Sequence, residues 1–139
     1  MSVNVSDMLA QLARLAKPLE LFRVEARGVP NQERIYLKAN QRVSLREYLL
    51  LVGVQLPDKT AFPHPNQVLW LGNDTLDAGT WLIVYTGSGQ RIVTFLRDTR
   101  EPALVLYWGR PTVLFADNGF VPVLTRFEMS SVQMGPPGP

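Results

Sequence analysis

The chain has 139 residues, 46% of them hydrophobic and 19% charged, the size and balance of one globular domain with a hydrophobic core of its own. No apolar run approaches the roughly 20 residues that cross a bilayer, which excludes a membrane-spanning helix, and the absence of cysteine excludes disulfides, thiolate nucleophiles and cysteine-ligated metals. Fourteen Lys and Arg against 12 Asp and Glu leave a net charge of +2, a small excess that favours acidic partners without requiring them.

The opening MSVNVSDMLAQLARLAKP has no basic start leading into an unbroken apolar run, so a cytoplasmic location is expected rather than export. Residues 6–17 are predicted to form an amphipathic helix. Ser6 is placed to cap it, Asp7 suits the first turn, Arg14 and Lys17 suit the last, and Met8, Leu9, Leu12, Leu15 and Ala16 make one stripe. Pro18 ends it. The stripe is expected to pack on the domain or on a partner, being poor in cations and aromatic residues for a membrane surface.

From residue 19 the pattern changes to short strands punctuated by Gly, Pro, Asn and Asp. LELFRVEA (19–26) precedes the turn RGVPNQ, and in ERIYLKAN (33–40) Ile35 and Leu37 alternate with Arg34, Tyr36 and Lys38, the mark of a sheet with one wet face. Ser44 and Glu47 have capping-box spacing, but the apolar run from Tyr48 to Val54 favours a turn followed by a strand. LPDKTAFPHPNQ (56–67), with its prolines, is predicted to be a surface loop and the most mobile segment. VLWLG, TWLIVYT, RIVTFLR, ALVLYWG and TVLFA are further strands, and DNG (117–119) predicts a hairpin between TVLFA and FVPVLTRFE. Pro122 puts that last strand at an edge or at its own start. The tail SSVQMGPPGP is expected to be disordered. Many short strands and one helix predict an all-β fold, a β-sandwich or barrel.

TGSGQ (86–90) is the stretch most like a phosphate loop, but no lysine follows its glycines and RIVTFLR resumes strand alternation where a helix would have to start. Gly87 and Gly89 are therefore expected to serve positive φ in a turn or hairpin loop. His64, between prolines, has no companion histidine or cysteine to make a metal site, and no nucleophile or orienting carboxylate is identifiable beside it. Asp74 and Asp77 lack the alternating ligands and distal glutamate of a calcium loop and read as turn residues. Trp70, Trp81, Trp108, Tyr85, Tyr107 and Phe115 lie in apolar strands and read as packing rather than as a stacking platform. No catalytic residue, metal or cofactor is assigned. Arg23, Arg27, Arg34, Lys38, Arg42 and Arg46 crowd the first third of the chain but are interleaved with Glu20, Glu25, Glu33 and Glu47, as on a solvated strand face.

In their order along the chain these motifs resemble the lamin tail domain, an immunoglobulin-like β-sandwich, and look particularly like its small uncharacterised bacterial relatives. The resemblance covers most of residues 19–128. It rests on ERIYLKAN, on VSLREYLL (43–50), on LDAGTWLIVYTGSG (76–89) with its Tyr-Thr-Gly ending, and on LYWGRPTVLFADNGFVPVL (106–124). Phe120 after Asn118-Gly119, and Leu71-Gly72 where an aromatic-proline pair is common, depart from the pattern. With the helix and the tail, which lie outside the resemblance, the expected organisation is a helix over 1–18, a sandwich over 19–129 and a tail over 130–139. The implied function is a non-catalytic interaction or scaffolding module for a protein partner; the binding residues expected for it are Arg34, Tyr36 and Lys38 on the wet strand face and Phe62 and His64 on the 56–67 segment, chosen from the sequence and not from the resemblance. Homo-oligomers fit the same reading. The alternative partner is a nucleic acid held by Arg23, Arg27, Arg34, Lys38, Arg42 and Arg46, which would show as a steep loss of affinity with salt.

Overall fold

The structure is a computed structural model that describes residues 4–15, 17–127 and 135. Among these residues one helix, α1 (Val5–Leu15), precedes ten strands: β1 (Leu19–Glu25), β2 (Arg34–Ala39), β3 (Val43–Ser44), β4 (Tyr48–Gln55), β5 (Ala61–Trp70), β6 (Thr75–Leu76), β7 (Trp81–Tyr85), β8 (Ile92–Phe95), β9 (Pro102–Tyr107) and β10 (Phe120–Arg126). A 3-10 turn, Leu45–Glu47, leads into β4, so the turn-then-strand reading of 44–56 holds.

The strands make a five-stranded sheet in the order β1-β2-β7-β9-β8, a three-stranded sheet β10-β4-β5, and a small β3-β6 ladder. All pairs are antiparallel except β7 with β9. The core lies between the two larger sheets. Ile35, Leu37, Leu82, Val84 and Leu104 of one sheet meet Tyr48, Leu50 and Val52 of the other, closed by Leu45, Leu71, Leu114 and Phe115. Period-two alternation explains why β2 and β4 bury every second residue. The fold is thus the expected all-β sandwich of short, mostly antiparallel strands with one N-terminal helix.

α1 starts one residue earlier than expected because Asn4, not Ser6, caps it: the Asn4 side-chain oxygen accepts the Ser6 N–H at 2.8 Å. Met8, Leu9 and Leu12 are exposed, so these residues of the stripe are not buried on the sandwich. Ala16 and most of the 128–139 tail lie outside the described residues.

Three expectations are corrected. The segment 61–67 is strand, not loop, because β5 is an edge strand paired only with β4; prolines at alternate positions 63 and 65 are tolerated there when the missing N–H would face away from the ladder. TVLFA is not a strand and DNG closes no hairpin. The N–H groups of Leu114 and Phe115 donate to the buried Glu33 carboxylate at 2.6 and 3.0 Å instead of to a neighbouring strand, and β10 pairs with β4. Residues 117–120 still form a tight turn, with the Phe120 N–H donating to the Asp117 carbonyl.

TGSGQ is the third. No helix follows it, in keeping with the sequence reading, but it is not a hairpin loop, since β9 sits between β7 and β8. The loop crosses over the end of β9. Neither Gly87 nor Gly89 has positive φ; a Cβ on Gly89 would collide with the Tyr107 ring, so that glycine is required by close approach.

Candidate binding face

The outward face of the five-stranded sheet collects the residues with most chemistry. β2 turns Arg34, Tyr36 and Lys38 to this side, each half-buried. β7 and β9 are apolar on both faces, so beneath them lies a second small cluster of Ile83, Ala103 and Val105, covered by Tyr36, Trp81, Tyr85, Leu96 and Tyr107. The outer face is therefore not simply wet, as the alternation in β2 alone implied. Its centre is aromatic.

A bulge in β1 supplies two further groups. Leu21 pairs with Leu37 and Arg23 with Tyr36, which leaves Phe22 as an extra residue. The Phe22 ring lies 5.1 Å from Trp81. The Arg23 guanidinium lies 4.3 Å from the Tyr36 centroid and 5.9 Å from that of Trp81, and Lys38 Nζ lies 4.9 Å from Trp81, all within cation–π range. Tyr36 meets Trp81 edge-on, and Tyr85 stacks on Tyr107 at 5.3 Å.

Two carboxylates balance the cations. Glu25 accepts from Arg23 at 2.8 Å and from Arg34 at 3.0 Å, and the Arg23 hydrogen bond is the main cause holding its carboxyl below the usual glutamate value. Glu101 accepts from Lys38 at 2.9 Å, which lowers its pKa in the same way. Arg34 also donates to the Tyr36 hydroxyl at 3.0 Å and to the Gln32 carbonyl at 2.8 Å. The Trp81 indole N–H is near enough to Glu101 to help lower its pKa, yet is buried without a hydrogen bond of good geometry. Between these groups and the 96–101 loop runs a groove of about 380 Å³.

The sequence-expected residues divide. Arg34, Tyr36 and Lys38 come together with Arg23. Phe62 and His64 lie on β5 of the other sheet, and their side chains lie outside the described residues. The other expected cations are elsewhere: Arg27 donates to the Phe115 and Phe120 carbonyls, Arg42 pairs with Asp77, and Arg46 is exposed on the 3-10 turn. The six cations do not form one surface. Of the other aromatics, Trp108 and Phe115 are core, and Trp70 is exposed on β5 with its indole donating to the Arg46 carbonyl.

Nothing in the sequence marks Phe22 and Trp81 as binding residues, because the bulge and the β2–β7 register that join them to Tyr36 are tertiary. Glu33, read as part of a solvated face, is buried instead. It accepts from Gly28 N–H, Thr86 Oγ1, Leu114 N–H and Phe115 N–H at 2.6–3.0 Å, a structural role. Asp74 is engaged by Arg91 through two bonds of 2.6 and 3.0 Å. Among the described residues no three His, Asp or Glu side chains gather as a metal site, and no helix is long and apolar enough to cross a membrane. No protein-family model, curated protein or solved structure matches the chain.

Proposed function

We propose that the chain is a non-catalytic protein-interaction or scaffolding module, a lamin-tail-like β-sandwich working in the cytoplasm, whose partner docks on the outward face of the five-stranded sheet. The observation that carries this reading is the uncovered group of Phe22, Arg23, Tyr36 and Trp81. Aromatic residues and arginine are the types enriched where protein interfaces concentrate their binding energy. Here they stand on strands rather than on loops, already stacked, so little side-chain entropy is left to lose on binding.

The test is site-specific photo-crosslinking in a lysate of the source organism, with a photoreactive phenylalanine analogue at Tyr36 and, as control, at Val68 on β5, an exposed position of the other sheet. A discrete protein adduct from position 36 and not from position 68 is expected. Equal labelling from both positions overturns the reading. So does salt-sensitive binding of a DNA or RNA probe that Arg23→Glu abolishes, which would give the face to nucleic acid.

A further inference from the structure

The two sheets have four edges, and three of them are blocked against further strand pairing. β1 carries a bulge with Arg23 and Glu25 beside it, β5 carries Pro63 and Pro65, and β10 carries Pro122, all devices that prevent edge-to-edge addition. β8, Ile-Val-Thr-Phe, has no charge, proline or bulge, and pairs only with β9. It also overhangs the sandwich. Val93 and Phe95 point to the same side as the buried Leu104 but are 62% and 66% exposed, and Ile92 on the other side is 52% exposed.

The backbone register shows what this edge offers. Phe95 pairs with Pro102, which has no N–H, so theirs is a non-hydrogen-bonded pair. Phe95, and by period two Val93, thus turn N–H and C=O away from β9 toward the open edge. The adjoining Leu96 N–H donates to the Glu101 carbonyl at 2.8 Å, as this phase requires. Next to the edge a groove of about 560 Å³ is lined by Phe95, Leu96, Arg97 and Arg100, two apolar side chains and two arginines with no carboxylate. Neither arginine has an ion-pair partner among the described residues.

We propose that β8 accepts an extended peptide segment of a partner protein as a sixth strand, with apolar residues over Val93 and Phe95 and acidic residues against Arg97 and Arg100. Main-chain bonds at Val93 and Phe95 supply affinity and the arginines supply selection, the usual division in strand addition. A second copy fits less well. Its β8, Ile-Val-Thr-Phe, carries no carboxylate to set against Arg97 and Arg100, whereas an acidic peptide does. Leu96 and Arg97 line both this groove and the one beside the aromatic face, but the β8 backbone at Val93 belongs to neither, so Val93→Pro lets either proposal fail alone.

Fluorescence anisotropy with the labelled peptide EEVTVTVEE and its counterpart KKVTVTVKK tests this on the full chain. Saturable binding of the acidic peptide is expected, weakened at least about tenfold in the lysine peptide and in the Arg97→Glu/Arg100→Glu double variant. Val93→Pro, which removes an outward N–H without breaking a bond to β9, is expected to abolish binding while the melting temperature stays near that of the parent. Absence of saturable binding, equal binding of both peptides, or unchanged binding to Val93→Pro overturns the proposal. So does concentration-dependent dimerisation of the protein alone that Val93→Pro abolishes, which would give the edge to a second copy.

Discussion

Glu33 shows how one charge organises an irregular segment. At 1% exposure its carboxylate would be costly to bury were it not surrounded by donors, and it ties the Leu114 and Phe115 amides to Gly28 and Thr86, holding out of a sheet a segment that has strand composition. Glu33→Ala leaves those donors without an acceptor and is expected to destabilise the fold in denaturant titration by about 1–3 kcal/mol or more, the cost of one unsatisfied buried donor, with loss of exchange protection at the Leu114 and Phe115 amides. Retained protection there would contradict the latch. Gly89 is decided by space in the same way. Gly89→Ala pushes a methyl group into the Tyr107 ring and is expected to cost about 1–3 kcal/mol. Gly87→Ala, whose Cβ would meet Asn31 Oδ1 at an ordinary 3.4 Å, should stay within about 0.5 kcal/mol. None of this was legible in the sequence. A lone glutamate before an alternating strand looks like any surface acid, and the contact between Gly89 and Tyr107 depends on which strand the loop crosses.

Strand existence was legible where the hydrophobic period was clean or where a short run was apolar throughout. LELFRVEA, ERIYLKAN, TWLIVYT and ALVLYWG all became strands within a residue or two. Pairing was not, because a short apolar strand does not encode its neighbour, and the insertion of β9 between β7 and β8 depends on distant parts of the chain. The same limit hid the β1 bulge, and with it the outward placing of Phe22 beside Arg23. α1 carries its own period and was legible, but what its stripe contacts was not. Since Leu9 and Leu12 are 61% and 58% exposed, replacing both with serine is expected to change sandwich stability by no more than about 0.5 kcal/mol. A larger loss in chemical denaturation would mean that the helix packs on the sheets.

At the scale of the molecule, two sheets of unequal width share one core, and the wider sheet presents an outer face of its own. The ion pairs on that face tie its stability to pH. Glu25 and Glu101 both have folded-state pKa values depressed by their cationic partners. Their contribution is therefore fully present above the unfolded value of about 4.3 and is lost as the pH falls through the lower folded value. Replacing Glu25 and Glu101 together with glutamine should flatten the acid limb of the stability curve and leave the neutral limb parallel to that of the parent; an unchanged acid limb would show that these pairs carry none of the acid sensitivity.

The reading of the chain as a binding module stands on the Arg23–Tyr36–Trp81 group acting as a contact surface and not only as a lid over Ile83, Ala103 and Val105. Quantitative affinity capture from the source lysate addresses this most directly, comparing the parent with Arg23→Ala/Tyr36→Ala and with the control Val68→Ser, each verified by its melting curve. A set of proteins retained by the parent and by Val68→Ser but depleted about tenfold or more by the double variant is the expected result. Identical recoveries from all three folded proteins would contradict it.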